Sequence, residues 1–260
     1  MKSLEVQLRA LRDSGRKSLV AYFMGGMTPD WTDHVQAAIH AGVDVVEIGI
    51  PFSDPMMDGV VIQEAALRAL EAGTTLDSLS ADLARLEDTV PLVAMTYYNV
   101  VLHYGLERAA GTLRSSGVSG AIVPDLSIEE SGEWGEACDL NDVATIFLVA
   151  PSTPPDRVRS VCERTQGFVY ASARMAVTGK SSDEGDGARV VATIRKTTSA
   201  PTYIGIGVTT PAQAQEAASA SDGVIVGSAL VRVMLNGGGT REVESFIRTF
   251  RESIDVLDID

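Results

Sequence analysis

The chain of 260 residues is predicted to be an α/β protein, a (β/α)8 TIM barrel with an extra N-terminal helix. Short apolar runs alternate about eight times with amphipathic helical stretches, and no break in composition divides the chain. The length suits one barrel of about 250 residues, so residues 1–260 are expected to form a single domain. A doubly wound open sheet is the competing architecture.

The predicted strands are runs rich in Val, Ile and Ala without polar alternation, which is typical of strands buried on both faces. In chain order they are Leu19–Met24, Val43–Ile50, Leu92–Thr96, Gly120–Val123, Thr145–Val149, Gly167–Ala171, Thr202–Gly205 and Gly223–Val226. The predicted helices have apolar residues at helical spacing: Leu4–Ser14 (the extra helix), Trp31–Ala41, Val61–Ala72, Thr75–Leu86, Leu106–Ser115, Ile128–Cys138, Pro155–Arg164, Ala188–Lys196, Pro211–Ala218 and Arg241–Val256.

The composition argues against several classes of protein. A net charge of -14 disfavours binding to nucleic acid or to anionic membranes, because both need clustered Lys and Arg. The chain has no run of about 18 apolar residues and no signal-peptide core, so a cytoplasmic protein is expected. Cys138 and Cys162 are far apart and the three histidines are scattered, so neither a metal site nor a disulfide framework is indicated.

Two acids near the second predicted strand are the first candidates for catalysis. Glu47 lies within the apolar run Val43–Ile50, and Asp58 follows in a loop punctuated by glycine and proline. Burial disfavours the charged form of a carboxyl group and raises its pKa. A carboxyl group with a raised pKa beside a more solvated one is a recurrent arrangement for general acid and base catalysis. The alternative is that Glu47 is a structural acid paired with a neighbour.

Two glycine-rich turns indicate a phosphate site. The turns Gly205–Pro211 and Val226–Ala229 follow the last two predicted strands, and each opens a helix. Glycine lets backbone N–H groups approach an anion, and helix N-termini favour negative charge. Barrels often bind phosphate after strands seven and eight, and Ser228 adds a hydroxyl donor there. The alternative is that these glycines serve only tight turns.

The segment Gly179–Gly187 is polar and rich in glycine, which predicts a mobile loop after the sixth strand. In a barrel this loop lies at the C-terminal face, where active sites form, so it is a candidate for a lid over the substrate. A plain surface loop is the alternative.

Seven motifs in this chain resemble the tryptophan synthase α-subunit family, and they are spread over most of its length. The longest, Glu-Ile-Gly-Ile-Pro-Phe-Ser-Asp-Pro-Met-Met-Asp-Gly at residues 47–59, is too specific to arise by chance. The others follow in the family's order: Met-Thr-Tyr-Tyr-Asn (95–99), Ile-Val-Pro-Asp-Leu (122–126), Ile-Phe-Leu-Val-Ala-Pro (146–151), Gly-Phe-Val-Tyr (167–170), Val-Thr-Gly (177–179) and Asp-Gly-Val-Ile-Val-Gly-Ser-Ala (222–229).

The resemblance implies a carbon–carbon lyase that cleaves indole-3-glycerol phosphate to indole and glyceraldehyde 3-phosphate, without a metal or an organic cofactor. It implies that Glu47 is the general acid and base, that Asp58 accepts the indole N–H, and that Tyr170 orients the glycerol hydroxyls or Glu47. In this family Thr178 would bond Asp58 when the lid closes. The phosphate would be held by Gly179, Gly207, Gly227 and Ser228. An apolar pocket for the indole is expected from Tyr22, Leu92, Met95, Ile122 and Ile206.

Several positions depart from the family's usual pattern. Proline is common where this chain has Val60, Val100 and Ser127, glycine where it has Ala176, and an aromatic residue where it has Ile206. Because proline fixes φ, its absence at Val100 and Ser127 is expected to re-aim two loops that face the β subunit in this family. Ala176 is expected to restrict the hinge of the lid, and Ile206 to reshape the pocket.

Three hypotheses about the role of the chain follow. The first is an ordinary α subunit that joins a β subunit in an α2β2 tetramer, with an interface near Pro51–Pro55, Asn99–Leu102 and Ser127. The second is a free-standing lyase that supplies indole to another pathway. The third is a weakly catalytic regulatory partner of a β subunit, which the presence of both Glu47 and Asp58 disfavours.

Overall fold

The computed structural model describes residues 2–86, 90–174 and 186–257. Nine parallel strands form one sheet in the order β5-β4-β3-β2-β1-β9-β8-β7-β6, which curls into a nearly closed barrel. The strands are β1 Ser18–Met24, β2 Val45–Gly49, β3 Leu92–Met95, β4 Val118–Ile122, β5 Ala144–Ile146, β6 Leu148–Val149, β7 Val169–Arg174, β8 Thr202–Ile206 and β9 Gly223–Val226.

The helices of the described ranges surround this barrel. They are α1 Ser3–Asp13, α2 Trp31–His40, α3 Val60–Glu71, α4 Leu76–Leu83, α5 Tyr98–Tyr104, α6 Leu106–Ser115, α7 Gly132–Leu140, α8 Pro155–Arg164, α9 Asp186–Arg195, α10 Pro211–Ala220, α11 Ser228–Leu235 and α12 Thr240–Asp255. A large apolar cluster fills the layer between these helices and the outer face of the sheet. In the part of the chain that the structure describes, no helix is both long and apolar enough to cross a membrane.

The barrel closes where the fifth predicted strand, Thr145–Val149, divides into two. Strand β5 pairs with β4 on one side, and β6 pairs with β7 on the other. Phe147 lies between β5 and β6, and its carbonyl oxygen accepts a hydrogen bond from the N–H of Tyr170 at 3.1 Å. One run of chain therefore joins both edges of the sheet. This closure confirms the predicted barrel and excludes the open doubly wound sheet.

The extra N-terminal helix, α1, forms the floor of the barrel. Leu4 and Leu8 are fully buried in the interior cluster, and burial of each side chain is worth about 1.5–3 kcal/mol. Gly120 and Gly167 make room for this helix, because a β-carbon at either position would lie within 2.9 Å of Leu4 Cδ2. The floor leaves the opposite end of the barrel, where the strands have their carboxyl ends, open for a site.

Two helices were missed by the sequence analysis, and one starts later than predicted. The missed helices, α5 and α11, are short, and α5 is rich in aromatic and β-branched residues, which have modest helix propensity. Helix α7 begins at Gly132 instead of Ile128, because a turn occupies the residues before it. In that turn the Glu130 N–H bonds the Ser127 carbonyl oxygen at 3.2 Å, and the Ser127 hydroxyl donates to Glu130 Oε2 at 3.0 Å.

Candidate active site

A cavity of about 630 Å³ opens at the carboxyl ends of the strands. Tyr22, Met95, Ile122 and Ile206 line it, as predicted for the apolar wall. Leu92 does not, because it points outward into the layer beneath the helices. Among the described lining residues, Glu47 and Asp58 are the two acids, and none is Lys, Arg or His.

Glu47 projects from the middle of β2 into the closed interior. It lies in register with Tyr22 on β1 and with Val93 on β3, and its side chain is 1% exposed. Burial, and to a smaller degree the nearby Asp58, raises the pKa of Glu47 to about 8. No described residue is hydrogen-bonded to Glu47 Oε2, so this oxygen is available to a bound molecule. The structural alternative, in which Glu47 is held by an ion pair, finds no such pair in the described residues.

Asp58 lies in the loop between β2 and α3, on the mouth side of Glu47. Its N–H bonds the Pro55 carbonyl oxygen at 3.0 Å, which tightens the loop. Partial burial raises the pKa of Asp58, and a hydrogen bond from the Tyr97 side chain opposes that rise. Asp58 is thus the more solvated of the two acids, as the sequence predicted.

Tyr97 is a residue of this site that the sequence analysis missed. Its hydroxyl accepts a hydrogen bond from the Met57 N–H at 3.0 Å, and its ring stacks on Phe52 with 5.2 Å between centroids. The side chain is 3% exposed. Tyr97 therefore holds the loop of Asp58 from the end of β3. The motif Met-Thr-Tyr-Tyr-Asn contained it, but this contact spans 40 residues of sequence.

Two tyrosines reach across the cavity wall in equivalent ways. Tyr170 on β7 donates a hydrogen bond to the Gly205 carbonyl oxygen at 3.1 Å, and a β-carbon at Gly205 would overlap its hydroxyl. Tyr22 on β1 leans over Gly49 on β2 in the same manner. Burial raises the pKa of both hydroxyls, and the two acids add to the effect. Both tyrosines therefore stay protonated as hydrogen-bond donors.

The two glycine-rich turns follow the adjacent strands β8 and β9, and residues of both turns line the cavity. Gly207 has φ +78°, a conformation that favours glycine, and it lines the cavity with Gly227 and Ser228. Gly227 precedes α11, and no side chain in the described ranges caps this helix N-terminus. Its first N–H groups are therefore free to meet an anion.

Two residues of the predicted site, Thr178 and Gly179, lie outside the described residues. Ala176 and the predicted lid up to residue 185 lie outside them as well. Asp186 and Gly187, at the end of that segment, begin helix α9. Apart from Leu92, the structure brings together the other predicted site residues, including Tyr22, Glu47, Asp58, Tyr170, Ile206, Gly207, Gly227 and Ser228.

Gln213 is a second lining residue that the sequence analysis missed. It is the third residue of α10, where it forms a capping box with Thr210. The sequence Thr-Pro-Ala-Gln at 210–213 has the spacing of this motif, so a signal was present. In the described ranges no group of three or more His, Cys, Asp or Glu side chains is placed to hold a metal ion.

The fold and the site together define a TIM-barrel enzyme with a buried acid, a second acid and two glycine-rich turns around one cavity. Residues 8–254 match the sequence profile of the family described as tryptophan synthase alpha chain. The chain belongs to this family, which confirms the resemblance seen in its motifs.

Named relatives agree over nearly the full length. The tryptophan synthase alpha chain of Methanosarcina mazei is 38% identical over 94% of this chain and 91% of its own length. That of Halorhodospira halophila is 41% identical over 95% and 93%. Among solved structures, Mycobacterium tuberculosis tryptophan synthase is similar with a TM-score of 0.89 at 33% identity, covering 97% of this chain and 98% of that one. The alpha subunit from Legionella pneumophila has a TM-score of 0.87 at 27% identity, with 98% and 99% covered.

Proposed function

We propose that this chain cleaves indole-3-glycerol phosphate to indole and glyceraldehyde 3-phosphate, the lyase reaction of the tryptophan synthase alpha family. The observation that carries the proposal is the pairing of Glu47 and Asp58 in one cavity that two turns suited to phosphate also line. Burial raises the pKa of Glu47 to about 8, so near neutral pH this group can both give and take a proton.

Glu47 moves the proton in this mechanism. The protonated carboxyl group gives its proton to C3 of the indole ring, which leaves the ring nitrogen cationic. The bond between C3 and the glycerol chain then breaks, its electron pair restores the aromatic ring, and the adjacent hydroxyl becomes the aldehyde. Glu47 receives the proton of that hydroxyl and returns to its starting state. The unpartnered Oε2 and the low exposure of Glu47 support this role.

Asp58 stabilises the cationic ring. A carboxylate that accepts the indole N–H is the expected counter-charge for the intermediate. Asp58 suits this task because it is partly solvated and takes a hydrogen bond from Tyr97, which favours its ionised form. Two acids with different surroundings thus take two different roles.

The remaining residues bind and orient the substrate. Tyr170, next to Glu47, orients the glycerol hydroxyls, while Tyr22 and Ile206 contact the indole ring. The phosphate is held by Gly207, Gly227 and Ser228. For Thr178 and Gly179 the proposal rests on the family motif alone, in which they bond Asp58 and the phosphate.

We also propose that the mouth of the barrel docks a β subunit, near Pro51–Pro55, Asn99–Leu102 and Ser127. Large apolar side chains are exposed within or next to these segments, after the carboxyl ends of β2 and β3. They are Met56 (76% exposed), Met57 (59%), Val60 (77%) and Leu102 (52%). Exposed apolar surface concentrated in this way marks an interaction site. Asn99–Leu102 lies on helix α5, so the contact is with a helix face and not with the loop that the sequence suggested.

The docking proposal has a matched control on the chain itself. Leu102→Glu is expected to abolish co-sedimentation with a tryptophan synthase β subunit, because a charge enters the apolar contact. Leu140→Glu makes the same change at a residue that is 77% exposed at the end of α7, away from the mouth, and should leave association intact. Equal binding by both variants would contradict the docking site.

The test of the reaction is indole release by the purified chain, alone and with a β subunit. We expect turnover that rises when the β subunit is added, and a loss of about 10²–10⁴-fold in Glu47→Gln. Glu71→Gln, an exposed acid at the end of α3, is the control and should retain activity. Turnover that the β subunit leaves unchanged would favour a free-standing lyase, an alternative that the relatives' names do not favour. Full activity in Glu47→Gln would overturn the proposal.

A further inference from the structure

The side-chain oxygen of Gln213 accepts three hydrogen bonds in the turn after β8. Its Oε1 accepts hydrogen bonds from the Thr209 N–H at 2.9 Å, the Thr209 hydroxyl at 2.9 Å and the Thr210 N–H at 3.1 Å. The backbone N–H of Gln213 donates to Thr210 Oγ1 at 3.3 Å. One side chain therefore holds the turn that leads from β8 into α10.

These contacts fix which way the carboxamide of Gln213 faces. The end of a glutamine side chain has one oxygen, which accepts, and one NH2 group, which only donates. Backbone N–H groups of Thr209 and Thr210 converge on the same terminal atom, so that atom must be the oxygen. The Nε2 group is consequently turned away from the turn, with two N–H donors.

Nε2 of Gln213 has no hydrogen-bond partner among the described residues. Gln213 lines the cavity together with Gly207, Gly227 and Ser228, and no described residue accepts a hydrogen bond from its Nε2. The described lining of the cavity contains no Lys or Arg. A phosphate held there depends on neutral N–H and O–H donors. Two additional N–H donors therefore contribute a large part of its binding free energy.

We propose that Gln213 is a further phosphate-binding residue, whose Nε2 donates to the phosphate of the substrate while its Oε1 holds the turn. This inference rests on the proposed function, since it uses the same phosphate. It also explains how the α10 turn contributes. The N–H groups of Thr209 and Thr210 are already bonded to Gln213, so the side chain supplies donors in their place.

The direct test is NMR of the 15N-labelled full chain, titrated with inorganic phosphate. The side-chain NH2 pair of Gln213 is assigned by its absence from the spectrum of Gln213→Glu. We expect this pair to shift along the same binding curve as the backbone signals of Gly227 and Ser228. If those backbone signals shift while the Gln213 pair stays still, the inference is overturned and the phosphate site stands. If none of them shifts, the phosphate site itself fails, and the inference fails with it.

Two variants separate a phosphate donor from a turn-holding residue, with phosphate affinity measured by calorimetry. Gln213→Glu keeps the capping oxygen, because Glu is an ordinary residue at this position of a capping box, but removes the donors. Gln213→Met removes both. We expect both variants to lose at least about tenfold in affinity. Gln36→Glu on α2 is the control for the change in net charge and should bind as the wild type does. Unchanged affinity in Gln213→Glu means that Gln213 only holds the turn. Unchanged affinity in Gln213→Met means that the loss in Gln213→Glu is charge repulsion, and either result overturns the inference.

Discussion

The two ends of the cavity are built on different physical principles. At one end, Glu47 and Asp58 are titratable side chains whose pKa values are both raised by burial. At the other end, Gly207, Gly227 and Ser228 present backbone and hydroxyl donors, and the described lining there has no charged side chain. The acid end is set within or beside a buried strand, whereas the anion end is made of turns and helix N-termini.

This difference follows from what each end must do in the proposed reaction. Charge changes at the indole ring and at the breaking bond, so the groups there must exchange protons or answer a transient positive charge. The phosphate keeps its charge throughout, so fixed dipoles are sufficient and remain unaffected by pH. Substitutions at the acid end should therefore change kcat, while those at the anion end should change KM.

The largest expected effect of a single substitution at the mouth of the acid end is that of Asp58→Asn. Loss of the carboxylate removes the counter-charge for the cationic ring, and we expect kcat to fall by about 10²–10³-fold with a small change in KM. Steady-state kinetics of indole release measures this. Asp54→Asn, an exposed acid in the same loop, is the control and should behave as the wild type. A rise in KM with unchanged kcat would place Asp58 in binding alone.

The anion end should give the opposite kinetic pattern. Ser228→Ala removes one hydrogen bond to a charged group, so KM for indole-3-glycerol phosphate should rise by about tenfold while kcat stays near the wild-type value. Ser219→Ala, on the outer helix α10, is a control of the same kind. The contrast between the two ends would be lost if Ser228→Ala lowered kcat as strongly as Asp58→Asn does.

A smaller effect is expected from Tyr97→Phe, which tests how the loop supports Asp58. Without the hydrogen bond from Tyr97, the pKa of Asp58 should rise, and the acidic limb of the kcat profile should move to higher pH. At pH values on the acidic limb, the kcat of Tyr97→Phe should be about fivefold lower than that of the wild type. Tyr203→Phe is the matched control, because that hydroxyl bonds Ser18 Oγ at 2.9 Å in the barrel interior. An unshifted profile in Tyr97→Phe would mean that the hydrogen bond has no influence on catalysis.

Burial of Glu47 should also make the free energy of unfolding depend on pH, and the raised pKa of Glu47 sets the direction of this dependence. Because the pKa of Glu47 rises from 4.5 to about 8 on folding, the folded chain binds this proton more tightly. The stabilisation is complete below pH 4.5 and is lost as the pH rises through 8. Glu47→Gln should therefore become progressively more stable than the wild type between these values, by up to about 1.4 kcal/mol per pH unit. Denaturant unfolding at several pH values measures this, and parallel stability curves would contradict it.

At both ends the sequence predicts some of the residues and misses others. Glu47 stands out because an acid inside a run of Val and Ile has few structural explanations, and Asp58 follows in the same motif. Tyr97 and Gln213 did not stand out. The contact of Tyr97 with Met57 is set by the meeting of β3 with the loop after β2, which periodicity does not encode. The role of Gln213 depends on which way its amide faces, and only the hydrogen bonds fix this.

The fold shows the same division between local pattern and long-range contact. Alternating apolar runs predict the strands and the barrel, because each strand carries its own signal. The split at Phe147 is not visible in the sequence, since it arises only when one run must pair with β4 and β7 at once. Helix α5 escaped prediction because Tyr98–Tyr104 has residues of modest helix propensity and is stabilised by its packing against α6.

The most direct test is the protonation of Glu47 itself. Carbon-13 NMR of the side-chain carboxyl groups, with the signal of Glu47 assigned by its absence in Glu47→Gln, reports the pKa of this residue in the folded chain. Since burial beside Asp58 raises that pKa, the signal should titrate at about 8. A titration near the ordinary value of 4.5 would contradict the role of Glu47 as a buried acid that is protonated at neutral pH.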